Sequence, residues 1–384
     1  MTASRIPPHI RTPAYVIDVA KLRANLETAA RVREQSGAKV LLATKAFAMP
    51  AVFPIMAEYL DGTTASGLYE AILAHRTFAP GQGKEVHVYS PAYTDEEFAE
   101  LKGVADHVYF NSARQLAKYG IVAKSHGQHV ALRINPGYSN ATLGGDLYDP
   151  CAPGSRFGEV ASELPNVDWR LVDTLHAHAL CESMADGSAG LINHVADNFS
   201  DYIAKVKSVN FGGGHFLNKP GYNVDALIDA LKAFQDRFGV QAYIEPGGGL
   251  VVDAGWLVST VVDTHRNGLD LAILDASASC HMPDVLEVPY TPRIIGAGAS
   301  GEKRHDYILG GKTCMTGDVI GRYSFDTPLQ PGDRIVFEDM AQYSFVKNNT
   351  FNGAPLPDLA ILHEDGTYEL VKRFVYKDFA ERLG

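Results

Sequence analysis

Between residues 40 and 250 one pattern recurs: a short apolar segment, a polar or glycine-rich break, then a stretch with helical spacing. The segments are "VLLATK" (40–45), "DGTTAS" (61–66), "EVHVYS" (85–90), "HVYFNS" (107–112), "HVALRINP" (129–136), "DTLHAHAL" (173–180), "SVNFGGG" (208–214) and "AYIEPGGG" (242–249). Amphipathic stretches such as Asp95–Lys102, Ser112–Lys124, Leu191–Lys207 and Val224–Phe238 lie between them, as crossover helices require. Parallel strands can be joined only through crossovers, so eight such units in about 210 residues predict a (β/α)8 TIM-type barrel over 20–250.

After residue 250 the pattern changes. The β-rich runs "LAILDAS", "HDYILGG", "DRIVFEDM" and "YELVKRF" are separated by turn signals such as Pro331-Gly332-Asp333, with little helical periodicity. They predict a C-terminal antiparallel β domain over 251–384. The strand-like "PAYVID" (13–18) either pairs with that domain, bringing residues 1–19 into it, or leads straight into the barrel.

With 384 residues, 46% of them hydrophobic, the chain can bury one large core or two medium ones, and its length favours two domains. No stretch of about 18 apolar residues occurs, and the start "MTASRIPPHIRTP" has no apolar signal core, so a cytoplasmic protein with no membrane partner is expected. The cysteines Cys151, Cys181, Cys280 and Cys314 form no CxxC pair, which suits free thiols in a reducing compartment better than a disulfide framework or a zinc site; no metal is expected. A net charge of −11 without a basic run argues against nucleic acid and favours a cationic small molecule.

In such barrels the chemistry sits at the C-terminal ends of the strands, and a phosphate commonly sits after strands seven and eight. Here those strands end in Gly212-Gly213-Gly214 and in Glu245-Pro246-Gly247-Gly248-Gly249. Consecutive glycines let backbone N–H groups approach an anion closely. Lys45 closes the first strand, His178 the sixth and Glu245 the eighth. Taken singly, these residues have ordinary readings: a solvated lysine, a core imidazole, a carboxylate capping a turn. Together they suggest a cofactor site. A partly desolvated lysine loses its proton readily and can form a Schiff base, and a carboxylate can keep a pyridine nitrogen protonated. A phosphate cradle beside both means pyridoxal 5′-phosphate.

The strings "ATKA", "RINPG" (133–137), "SRFGE" (155–159), "FGGG", "EPGG" and "GKTCMTGDVIG" (311–321), with the sixth-strand histidine, resemble the fold-type III pyridoxal-phosphate-dependent decarboxylases. That group contains the diaminopimelate, ornithine and arginine decarboxylases, and the match runs in order from residue 13 to residue 353. Within it, "HALCESMADG" (178–187), "DASASCHMPDVLEVPY" (275–290) and "QYSFVKNNTFNG" (342–353) are most similar to the branch acting on carboxynorspermidine and carboxyspermidine.

The resemblance implies Lys45 as the Schiff-base lysine, His178 as the ring-stacking residue and Glu245 as the partner of the pyridine nitrogen. It implies Gly213, Gly214, Gly247 and Tyr343 around the phosphate. Cys314 would reach the site of a neighbouring subunit in a homodimer, and it or Lys45 would return the proton to the α-carbon. Asp275, Asp284, Glu182 and Asp318 would supply a carboxylate for the substrate's cationic tail. The implied reaction converts carboxynorspermidine or carboxyspermidine to norspermidine or spermidine and CO2, a step of polyamine biosynthesis.

Two departures bear on that reading. Met315 stands where small-substrate members have an acidic residue after the cysteine, which disfavours diaminopimelate or another basic amino acid as the alternative substrate. Gly248 stands where larger members have a phosphate-binding arginine. Racemases of similar topology set an arginine at the ring nitrogen, unlike Glu245. A catalytically inactive regulatory protein of the same fold would be expected to lack the lysine, the glycine turns or the cysteine, all of which are present here.

Overall fold

The structure is a computed structural model describing residues 6–78, 80–140 and 149–384. It divides into two compact units, one of residues 23–250 and one combining residues 1–22 with 251–384. Strands are numbered along the chain, and β1 (Ala14–Asp18) belongs to the second unit.

In the first unit β2 (Lys39–Ala43), β3 (Gly62–Ala65), β4 (Glu85–Tyr89), β5 (His107–Phe110), β6 (His129–Arg133), β7 (Thr174–His176), β8 (Ser208–Asn210) and β9 (Gln241–Ile244) form a closed barrel. All neighbours are parallel, and closure comes from β9 against β2, with Lys39 opposite Tyr243 and Val40 opposite Ile244. Each strand falls on one of the apolar segments of the sequence, and the breaks after them form the loops of the barrel mouth.

Three of the crossover helices start where the chain offers a side-chain acceptor to the first turn. Thr94 and Glu97 form a capping box at Asp95–Leu101, Ser112 accepts from Gln115 N at Ala113–Ser125, and Asn223 accepts from Ala226 N at Val224–Phe238. The last of these ends on Gly239 at φ 67°, a left-handed position that glycine adopts without strain. The single helix expected over 191–207 is instead Ala185–Asn198 followed by the short Ser200–Ile203, broken at the buried Phe199. Its start lies earlier than the apolar spacing suggests because small residues open it: a Cβ on Gly187 would lie 2.2 Å from Ser183 Oγ.

The second unit is built on one sheet of β10 (Gly255–Asn267), β11 (Leu269–Leu274), β12 (Gly298–Ala299), β13 (His305–Gly310), β14 (Val319–Phe325), β15 (Arg334–Phe337), β16 (Asp358–Leu362), β17 (Tyr368–Lys372) and β1. The order is β12-β14-β13-β11-β10-β1-β16-β17, with β15 on β10. "PAYVID" therefore joins this sheet. The expectation of a purely antiparallel domain needs amendment, since β1 with β16 and β11 with β13 pair in parallel. A core of Ile6, Ile10, Ala14, Val16, Trp256, Val258, Val336, Ala360 and Leu362 holds β1 in place. The chain ends in the exposed helix Tyr376–Leu383, which the reading of this region as helix-poor did not foresee. Among the described residues no helix is long and apolar enough to cross a membrane.

Candidate active site

Lys45 lies two residues beyond β2, in a turn tied down on several sides. Thr44 N–H donates to Thr64 O at 3.0 Å and Ala43 N–H to Pro246 O at 3.1 Å. Thr44 Oγ1 donates to Glu70 Oε2 at 2.7 Å, and Ser66 N–H donates to the same oxygen at 2.7 Å. The Lys45 side chain remains reachable by solvent although protein surrounds it. That desolvation, reinforced by the Arg133 charge, lowers its pKa and favours the neutral amine.

His178 follows β7 and is half-buried. Gly213 N–H donates to its Nδ1 at 3.2 Å, which makes Nδ1 the acceptor and leaves the neutral ring's proton on Nε2. Burial and the neighbouring Lys45 and Arg133 push its pKa well down, so the ring is neutral. Gly213 thus spends its N–H on the imidazole. The glycine turn is also close-packed: a Cβ on Gly213 would stand 2.8 Å from Glu245 O and 3.1 Å from His178 Cε1. Gly214, at φ 88°, would bring one within 2.3 Å of Leu180 O. No side chain fits there.

Glu245 follows β9 and is 4% exposed. Its N–H donates to Gly212 O at 2.7 Å, and Asn210 Nδ2 donates to its Oε1 at 2.8 Å. Burial alone would raise its pKa, but His176, His87 and the Asn210 hydrogen bond outweigh it, holding the carboxyl at about 2. His176 Nε2 lies 3.6 Å from Oε2, and burial lowers the histidine's own pKa towards the neutral ring. Among the described residues, Asn210 supplies the one hydrogen bond to the carboxylate itself. A buried carboxylate with one strong donor suits a cationic partner.

Sequence reasoning missed Arg133, the first residue of "RINPG". It ends β6 only 5% exposed, its guanidinium 4.6 Å from the ring centroids of both Tyr89 and Phe157. Its Nη2 donates to His178 O at 2.9 Å, and its Nε has no hydrogen-bond partner. The barrel interior was missed as well: it carries His87, His107, Tyr109, His176 and Asn210 where branched apolar residues are the rule. The signal was present in "EVHVYS" and "HVYFNS", whose polar residues alternate with apolar ones and so share a face.

The remaining expected residues are placed as follows. Glu182, in the barrel unit, is exposed and adopts φ 43°. The other acidic residues lie in the sheet unit, Asp318 buried and Asp275 and Asp284 half-buried. Asp275 accepts from Ser259 Oγ at 2.6 Å, Thr260 N at 2.8 Å and Thr12 Oγ1 at 2.6 Å. Asp284 is paired with Lys347. Asp318, 4% exposed, accepts from Ser277 Oγ at 2.9 Å and Thr313 Oγ1 at 2.6 Å, so it anchors the loop that presents Cys314. Cys314 itself is exposed, and its N–H donates to Asn352 Oδ1 at 2.7 Å. Tyr343 adopts φ 52°, a left-handed conformation that is costly for an aromatic residue and concentrates at functional sites. Gly247 packs against the lysine turn, where a Cβ would lie 2.6 Å from Ala46 Cβ.

An amine with a lowered pKa, a neutral imidazole, an ionised buried carboxylate and side-chain-free glycine turns all lie at the strand ends of one barrel. Each fits a part of pyridoxal phosphate: its aldehyde, ring face, ring nitrogen and phosphate. Comparison with known proteins agrees. Residues 14–341 match the family described as pyridoxal-dependent decarboxylase, C-terminal sheet domain. The carboxynorspermidine/carboxyspermidine decarboxylase of Campylobacter jejuni is 41% identical over 384 residues, covering 97% of this chain and 98% of the relative. The carboxyaminopropylagmatine decarboxylase of Synechocystis is 37% identical over 375 residues, covering 97% and 95% respectively. The crystal structure of the Campylobacter jejuni carboxynorspermidine decarboxylase complexed with norspermidine superposes with a TM-score of 0.88 at 40% identity, over 97% of this chain and 100% of the other. On its residues, its fold and these relatives, the chain belongs to the pyridoxal-dependent decarboxylases.

Proposed function

We propose that this chain decarboxylates carboxynorspermidine or carboxyspermidine, releasing CO2 and norspermidine or spermidine, with pyridoxal phosphate as its cofactor. The observation that carries the reading is the ionised, hydrogen-bonded Glu245 at the end of β9, in the same barrel mouth as Lys45 and His178. When bound, the cofactor supplies an electron sink for the pair that a departing carboxylate leaves behind. Lys45 would hold its aldehyde carbon, His178 would lie on its ring face, and Gly213, Gly214, Gly247 and Tyr343 would surround its phosphate. Glu245 holds a proton at the ring nitrogen, and Lys45 or Cys314 returns one to the α-carbon. Residues 20–250 serve as the cofactor-binding barrel, and 1–19 with 251–384 as the β domain that contributes to the dimer-interface active site.

A long cationic substrate suits the charge of −11 and the exposed Glu182 carboxylate, and Met315 offers no charge to a small diamino acid. The Synechocystis relative, named for a carboxylated agmatine derivative, supports a second reading with a guanidinium tail. Carboxynorspermidine and carboxyspermidine differ by one methylene, which an apolar slot separates by only about 1–3 kcal/mol. Steady-state kinetics with both, with carboxyaminopropylagmatine, and with diaminopimelate as control would decide. Highest kcat/KM on the first two supports the proposal, and preference for either of the others overturns it.

The active form is a cytoplasmic homodimer in which Cys314 serves the partner's site. Mixing inactive Lys45→Ala and Cys314→Ala chains should restore about a quarter of wild-type activity if subunits reassort at random, because half the dimers are mixed and each has one intact site. No recovery despite verified exchange would place both residues in one chain's site.

A further inference from the structure

We infer that a directional hydrogen-bond relay crossing the barrel interior, Asn210–Tyr109–His87–Glu85, positions Glu245, which makes Asn210 and Tyr109 positioning residues for the reaction. The inference rests on the reading of Glu245 as the partner of the cofactor's ring nitrogen.

Asn210 ends β8 and is fully buried. Its Oδ1 accepts from Gly212 N–H at 2.8 Å, which assigns that atom as the oxygen and turns the NH2 the other way. One N–H goes to Glu245 Oε1 at 2.8 Å and the other to Tyr109 Oη at 2.9 Å. Tyr109 sits on β5, which is not a neighbour of β8 in the barrel, so this bond spans the lumen. A phenol that accepts from Asn210 has its own proton to give, and His87 Nδ1 stands 2.8 Å away to take it. The other ring nitrogen of His87 then donates to Glu85 Oε2 at 3.0 Å, and Lys39 pairs with the second oxygen of Glu85.

Each N–H and O–H in this row has an acceptor, and the Gly212 N–H bond to Oδ1 fixes which way the Asn210 amide faces. Donation therefore runs outward from the Asn210 amide, one arm to Glu245 beyond β9 and the other through Tyr109 and His87 to Glu85, which Lys39 pairs at the N-terminal ends of β2 and β4. Among the described residues, Asn210 is the one hydrogen-bond donor to the Glu245 carboxylate, since the His176 separation of 3.6 Å is too long for such a bond. Whatever fixes the Asn210 amide thus fixes the carboxylate. Buried polar rows of this kind rigidify only when every member is satisfied.

The cluster at the floor invites another interpretation, because ligand atoms of Glu85, His87 and His107 lie within 4.8 Å of one another, as a metal site requires. The geometry argues against it. The His87 and His107 rings are stacked 3.9 Å apart at an interplanar angle of 10°, so their in-plane lone pairs run side by side instead of converging. Lys39 already occupies Glu85.

The test uses the holoenzyme with Tyr109→Phe, which keeps the ring and removes one oxygen, and with Asn210→Leu, the double variant and Glu245→Gln for comparison. Reconstitution uses pyridoxal phosphate carrying a heavy-nitrogen label in its ring, read by NMR. Tyr109→Phe should lower kcat about fivefold, the scale of one hydrogen bond between neutral groups, while KM stays within about twofold. The ring-nitrogen signal should move part of the way towards its position in Glu245→Gln. The double variant should be no slower than Asn210→Leu alone, because the two residues act through one another. If Asn210→Leu does not fold, the Tyr109→Phe kinetics and signal decide. Wild-type kcat and signal in Tyr109→Phe, or independent multiplication of the two effects, overturns the relay while leaving the role of Glu245 intact. Unmodified protein that binds no labelled cofactor overturns the reading of Glu245, and the relay with it.

Discussion

Gly247 and Ala46 meet where the turn after β9 packs on the turn that carries Lys45, so closely that a Cβ on Gly247 would stand 2.6 Å from the Ala46 Cβ and 3.1 Å from the Ala43 Cβ. Together with the Ala43 N–H bond to Pro246 O, this contact locks the lysine turn to the carboxylate turn. The first and last strands of the barrel thereby present their functional ends as one surface. The substitution Gly247→Ala should force the two turns apart at a cost of about 1–3 kcal/mol, the usual range for overpacking. Differential scanning calorimetry of the apo-protein and cofactor retention on dialysis would both register it. An unchanged melting temperature with full retention would show that the turns move freely.

Lys45→Ala should abolish turnover and covalent cofactor attachment with the fold intact, because the lysine makes no structural ion pair among the described residues and desolvation lowers its pKa, easing loss of its proton. Borohydride reduction followed by mass spectrometry checks this. A reducible adduct persisting in the variant would assign the attachment to another lysine.

Glu245→Gln should lower the decarboxylation rate by about two orders of magnitude or more while weakening cofactor binding far less, since a neutral amide keeps a hydrogen bond but cannot hold a proton on the ring nitrogen. Single-turnover rates and a cofactor titration separate the two effects. Equal losses in both would make Glu245 a binding residue only.

Stability should fall on acidification through a window set in part by His281. The ring is buried; its Nδ1 accepts from Ser277 N–H at 3.1 Å, its Nε2 donates to Pro355 O at 3.1 Å, and burial holds its pKa down to about 4. The folded pKa lies below the unfolded value of about 6.5, so the unfolded chain binds the proton first, and stability present above about pH 6.5 is lost as pH falls towards 4. His215, also buried and held at about 4, adds the same sign. Each contributes about 3 kcal/mol over that interval. Urea unfolding at pH 7 and pH 4.5 should show a smaller acid loss in His281→Gln than in wild type. Equal losses would remove His281 from the account.

The cadence of strand and helix, the two glycine turns and the placing of Lys45, His178 and Glu245 after particular strands could be read from the chain because they depend on local periodicity and on a barrel rule that assigns loops to one end. The strand character of residues 13–18 was equally plain, but the choice of partner was not: β1 lies between β10 and β16 because its apolar residues complete a core with Trp256, Val258, Val336, Ala360 and Leu362, all more than 200 positions later in the chain. Folding also gives Asp318, Asp275 and Asp284, expected near a cationic tail, hydrogen-bond or ion-pair partners of their own that the sequence does not show. Arg133 and the Asn210–Tyr109–His87 row lay hidden for the same reason. Alternation in a strand tells which residues share a face, whereas contact across the lumen arises only when β9 closes on β2 and brings β5 opposite β8. Local chemistry thus determined the elements and the reactive groups at their ends, and the closed barrel decided which buried partners hold those groups in their working charge states.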